Sequence, residues 1–116
     1  MLPDELIKGS LRPIILKLLQ ENGRMYGYEI TCRVRELTSG KIQLTEGALY
    51  PALHKMAGEN MLETETEFFG NRERRYYSLS DDGTTRAAER VAEFRGFIET
   101  INKLLEPKTP TADGTV

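Results

Sequence analysis

Residues 44–59 read LTEGALYPALHKMAGE, and the fold turns on how this stretch is read. Leu49, Ala52, Leu53 and Met56 recur at helical spacing, which gives a helix one apolar, inward edge. Tyr50, His54 and the adjacent Lys55 fall away from that edge. Thr45 suits the N-cap, because its hydroxyl can accept from a free backbone N–H of the first turn. Glu46 follows, where the positive end of the helix dipole favours a carboxylate. Pro51 removes one helical hydrogen bond and presses its ring toward the carbonyl of Gly47. Gly47 has no Cβ, so the backbone there has room to adjust, and the expectation is a helix kept but bent.

Working outward, Asn60 is expected to end this helix in a left-handed conformation. The apolar period then changes. Leu62, Thr64 and Thr66 alternate with Glu63, Glu65 and Glu67, and Arg75, Tyr77 and Leu79 alternate with Tyr76 and Ser78. Gly70-Asn71 between the two runs predicts a hairpin. Its tip and return strand carry Arg72, Arg74 and Arg75, with Glu73 among them.

Upstream lie two more amphipathic segments. Leu6, Ile7, Leu11, Ile14, Ile15, Leu18 and Leu19 mark the first. Either Ser10 caps it, with Pro13 in the first turn, or it begins near Pro3 and kinks around Gly9 to Pro13. Asn22-Gly23 stops it. In the second, residues 26–38, Tyr26, Ile30, Val34 and Leu37 share a face, and Ser39-Gly40 ends it. Three helices with short polar links match a helix-turn-helix core, whose last helix enters a DNA major groove. A basic hairpin after such a core makes it a winged helix-turn-helix. The fold class expected is mainly α with a small β-hairpin.

Ser80 opens a final helix, with Asp81 and Asp82 in its first turn. Ala87, Val91, Phe94, Ile98, Ile101 and Leu105 follow a seven-residue repeat, the pattern of helices that pack along their length. Ala88, Phe97 and Leu104 widen the stripe. A helix over 80–106 would be about 40 Å long, more than a small winged domain can cover, so dimerisation is expected. The organisation predicted is a DNA-binding domain at 1–79, a C-terminal dimerisation helix at 80–106 and a disordered tail at 107–116.

Composition narrows the remaining choices. The chain has 116 residues, 39% of them apolar, which suits one domain. Net charge is −2, so any binding to a polyanion must use local positive charge. Residues 24–55 hold five basic side chains (Arg24, Arg33, Arg35, Lys41, Lys55) against three acidic ones (Glu29, Glu36, Glu46). Residues 81–106 hold four basic against six acidic. Positive charge thus gathers on the DNA side and negative charge on the dimer side. The single cysteine, Cys32, makes neither an intrachain disulfide nor a cysteine-based metal cluster. Phosphate-loop, metal-ligand and nucleophile–base constellations are absent from the sequence, and neither an enzyme, a cofactor nor a metal is expected. No stretch is apolar enough to span a membrane, and the N-terminus does not read as a signal peptide, so a cytosolic protein is expected.

Three motifs, YGYEI at 26–30, TEGALYPALHKM at 45–56 and RRYYSLSDDG at 74–83, together resemble the PadR-type bacterial transcriptional regulators. The resemblance spans about residues 5–106. One short helix after the wing is similar to the smaller subgroup of that family. The resemblance implies a homodimeric repressor of its own or a neighbouring operon, released from operator DNA by a small-molecule effector. It implies groove-facing positions at Thr45, Gly47, Tyr50 and His54, with Lys55 at the edge. Tyr26 or Tyr28 would lie near phosphates. Arg74 and Arg75 match the basic wing, while Glu73 departs from it. Arg72 and Lys41 would also engage phosphates. The absence of tryptophan makes drug sandwiching between tryptophans a poor guide to any effector site. The competing reading is a winged-helix protein-interaction module that binds no DNA, suggested by Glu63, Glu65, Glu67 and Glu73.

Overall fold

A computed structural model of the chain describes residues 4–108. Most of the tail assigned to 107–116 therefore lies outside the described residues. Helix α1 spans Asp4–Asn22, strand β1 Met25–Tyr26, helix α2 Gly27–Leu37 and helix α3 Glu46–Gly58. Strands β2 (Leu62–Phe69) and β3 (Arg72–Leu79) form the hairpin, and helix α4 spans Asp81–Leu105. The sheet is antiparallel in the order β1-β3-β2.

The open choice at the first helix is settled in favour of the early start. α1 is one helix with Pro13 inside it, and the Ser10 hydroxyl donates to the Leu6 carbonyl at 2.9 Å rather than capping. Pro13 and Pro51 obey the same rule. Each sits inside a helix four residues after a glycine, Gly9 or Gly47, whose missing Cβ eases the approach of the ring.

One element differs from expectation. Tyr26 is not in the second helix. It forms β1 with Met25, and the two pair with Tyr76 and Tyr77 of β3. Two residues are too few to show a period. Tyr26 also precedes α2 as its N-cap residue, with its N–H donating to the Glu29 carboxylate at 3.0 Å. Leu37, expected inward, is 63% exposed. Gly27, Ile30 and Val34 are the buried residues of α2.

Leu49, Leu53 and Met56 of α3 are fully buried in one cluster with Ile15, Leu16 and Leu19 of α1 and with Ile30, Leu62 and Tyr77. Full burial of each such side chain contributes roughly 1.5–3 kcal/mol. Thr45 caps α3, its hydroxyl accepting from the Ala48 N–H at 3.2 Å. At the other end Asn60 takes φ 64°. Met61 N–H donates to Met56 O at 3.0 Å, and Asn60 N–H to Ala57 O at 3.1 Å, closing a Schellman motif.

That closure is also a joint. The Ser80 hydroxyl donates to Asn60 O at 2.7 Å and accepts from the Gly83 N–H at 2.8 Å. Ser80 N–H donates to Met61 O at 3.0 Å. A Cβ on Gly83 would overlap the Met61 carbonyl, so only glycine lets the first turn of α4 come this close. Asn60 and Met61, whose N–H groups close α3, thus hold the start of α4 through their own carbonyls. Arg12 of α1 pairs with Glu59 beside this joint and holds the Glu59 carboxyl below its usual range.

Candidate nucleic-acid interface

With Leu49, Leu53 and Met56 fixed inward, geometry decides what α3 offers outward. Gly47, Pro51, His54 and Lys55 are exposed. This edge is narrow and poor in side chains, so a backbone or base edge can come close to it. Thr45 and Gln43 are exposed at its N-terminal end, and Lys41 in the link before it. Tyr50 requires a correction. It does not stand free of the apolar face but is half-buried against the core. Its phenol occupies the space that a Cβ on Gly27 would need. Burial, helped by the nearby Glu46 carboxylate, pushes the phenol's pKa up. His54 lies beside it, with ring centroids 6.4 Å apart.

The wing distributes its cations by strand alternation. Residues 72, 74, 76 and 78 share one sheet face, while 73, 75, 77 and 79 share the other. Tyr77 and Leu62 lie on the face that packs into the core, so Arg75 points to that side. Arg72 and Arg74 point to the outer face. There Arg74 lies 4.1 Å over the Tyr26 ring and 4.9 Å over Phe69. Arg24 lies 3.9 Å over Tyr76, and Tyr76 meets Tyr26 edge-on at 5.5 Å. Arg24 also bonds Glu65 at 2.6 Å and Glu67 at 2.7 Å, which raises its guanidinium pKa further. These alternating cations and rings tie the wing to the segment before α2. Tyr26 and Arg74 are therefore internal to the stack rather than free to meet a phosphate. Arg72, Arg75 and Tyr28 remain exposed.

α4 divides into two halves. Ala87 is fully buried in the chain's own core and Val91 packs on it, so Ala87 leaves the set of residues available to a partner. Beyond Phe94 most of the apolar stripe is uncovered among the described residues. Phe97, Ile98, Leu104 and Leu105 are 58%, 50%, 76% and 74% exposed. Ile101 is half-buried within the chain. Cys32 is half-buried and its sulfur accepts from Arg35 at 3.6 Å. Among the described residues no group of acidic, histidine or cysteine side chains could hold a metal ion, and no helix is long and apolar enough to cross a membrane.

The architecture and its three motifs fall together in one family model, that of the PadR-like transcriptional regulators, which matches residues 15–89. The chain belongs to the PadR-like family. A transcriptional regulator of Clostridium thermocellum superposes with a TM-score of 0.78 at 26% identity, over 91% of this chain and 100% of its own. A PadR-like transcriptional regulator of Bacillus cereus does so with a TM-score of 0.71 at 26% identity, over 90% and 99%. An uncharacterized protein of Lysinibacillus sphaericus is 29% identical over 110 residues, 91% of this chain and 97% of its own length. Members of the family are transcription regulators, and the winged helix is their DNA-binding element. Pro51 shares the exposed edge of α3 with Gly47 and His54. In sequence Pro51 reads only as a helix defect. Its position four residues after Gly47 and three before His54 was the signal that it shares their edge.

Proposed function

We propose that this PadR-like chain is a homodimeric, sequence-specific repressor of its own or a neighbouring operon, acting in the cytoplasm and not as an enzyme. The observation that carries the reading is the outward edge of α3. Gly47, Pro51, His54 and Lys55 stand clear while the opposite edge is locked in the core. Thr45, His54 and Lys55 meet base edges, with Tyr50 contributing from its half-buried position. Lys41, Arg72 and Arg75 engage phosphates, and Tyr28 approaches the backbone. Tyr26 and Arg74 hold the wing in place for these contacts.

The partner is a second copy. The uncovered half of α4 presents Phe97, Ile98, Leu104 and Leu105 to it, extending from Val91 and Phe94 through Ile101. Two copies then present two reading helices to a roughly palindromic operator, with half-sites about one helical turn or a multiple of it apart. A small-molecule effector has a candidate site in an apolar groove of about 320 Å³ between α1, α2 and α4, lined by Ile14, Leu18, Val34, Ile42 and Val91. The acidic wing strand that suggested a protein partner is weaker evidence than it looked, because Glu65 and Glu67 are already paired with Arg24.

A gel shift with the DNA upstream of the chain's own gene tests this reading. A discrete complex is expected at moderate salt. His54→Ala should reduce the preference for that DNA over random duplex, whereas Arg75→Ala should weaken both alike and lower the salt slope by about one unit. Equal affinity for the two DNAs in the wild type would overturn the assignment.

A further inference from the structure

The wing ends in two exposed phenylalanines. Phe68 is 69% exposed and Phe69 is 50% exposed. They pair across the strands with Glu73 and Arg72 and precede a two-residue turn, Gly70-Asn71. Gly70 has φ 65° while Asn71 does not take positive φ, as in a type II′ turn, so the tip is narrow and defined. The two rings are placed differently. Phe69 lies on the outer face beneath the Arg74 guanidinium. Phe68 lies on the inner face with Thr64, Thr66 and Arg75, toward the side of the sheet that packs on the core. Among the described residues no cation or ring stacks on Phe68.

We propose that Phe68 is an apolar wedge that enters the minor groove beside each half-site and partly unstacks one base step. This rests on the reading of α3 as the helix that enters the major groove. Charge decides the kind of partner. Exposed arginines stand on both faces of the tip, Arg72 on one and Arg75 on the other. A bare phenyl between cations on both sides suits a groove walled by phosphates on both sides. An apolar protein surface would need no such collar. Two strands about 4.8 Å apart, with their atomic radii, are wider than a groove of about 6 Å, so only side chains at the hairpin tip can enter it. Glu73 pairs directly across from Phe68 on the same sheet face. Apolar side chains inserted at a base step unstack it and kink the duplex, and flexible pyrimidine–purine steps yield most easily.

The probe is a duplex of the DNA upstream of the chain's own gene, with 2-aminopurine walked through the flanks of the footprint. Wild-type protein should raise 2-aminopurine fluorescence at one step per flank. Phe68→Ala should keep the footprint, bind about tenfold more weakly and lose the fluorescence rise. Phe68→Leu should retain the rise. A wild-type footprint with no fluorescence rise at any position would overturn the wedge and leave the DNA reading standing, as would a rise that survives in Phe68→Ala. A Phe68→Ala protein that sediments as a smaller species than wild type would make the tip a protein contact instead. Failure of wild type to footprint at all would overturn the DNA reading itself.

Discussion

The phenol oxygen of Tyr50 occupies the place where a side chain at Gly27 would begin. One atom at position 27 therefore meets the reading helix. Gly27→Ala should destabilise the protein by about 1–3 kcal/mol through overpacking, read as a lowered urea midpoint with an unchanged slope. In a Tyr50→Ala background the same change should cost much less. Additive losses in this double-mutant cycle would show that the two positions do not share the space.

The same packing gives Tyr50 a pH signature. Burial raises its phenol pKa, so the folded state favours the neutral form more than the unfolded state does. Its contribution is fully present below the unfolded phenol value, near 10, and is lost as pH rises through the folded one. Tyr50→Phe should flatten the fall in stability on the alkaline side. An alkaline limb identical to wild type would rule out Tyr50 as its source.

Arg24 bridges Glu65 and Glu67 and covers Tyr76. These contacts are exposed, and exposed ion pairs add little to global stability. Arg24→Gln should leave the urea midpoint nearly unchanged. Amides of the wing, residues 64–75, should exchange faster by about an order of magnitude, since the tie to the segment before α2 is lost. Unchanged wing exchange would mean that the hairpin holds its place without the stack.

The free half of α4 is the surface on which the proposed self-association depends. Ile98→Asp puts a charge where an apolar side chain stands half exposed. Analytical ultracentrifugation should show the dimer dissociation constant raised by about 100-fold, with helix content retained. Glu99→Ala, next to it on the helix, serves as the control. Equal effects from both substitutions would show that Ile98 has no special place in the contact.

The strongly periodic segments were legible from the sequence. The inward edge of α3, the left-handed Asn60 and the Gly70-Asn71 hairpin all stand where apolar spacing and turn chemistry put them. Four features were not legible, each for a physical reason. β1 is two residues long, and its pairing depends on Tyr76 and Tyr77, about fifty residues downstream. Tyr50 has the spacing of an outward residue, but Gly27 supplies a hollow that no local pattern encodes. The wing arginines read as one basic run until strand alternation divides them, with Arg74 taken up by two rings and Arg75 on the opposite side. Likewise the seven-residue repeat of α4 is continuous in sequence. Ala87 nevertheless serves the chain's own core, whereas Ile98 and Leu105 are left uncovered.

Asn60, Met61, Ser80 and Gly83 join reading helix and C-terminal rod without an intervening hinge. Twenty-five residues of α4 extend about 37 Å from that weld. In a pair crossing along these rods, a 5° change in crossing angle would carry a point at the far end through an arc on the order of 3 Å. The rod then works as a lever. A molecule wedged near its crossing point would reset the gap between the two reading heads without touching either one.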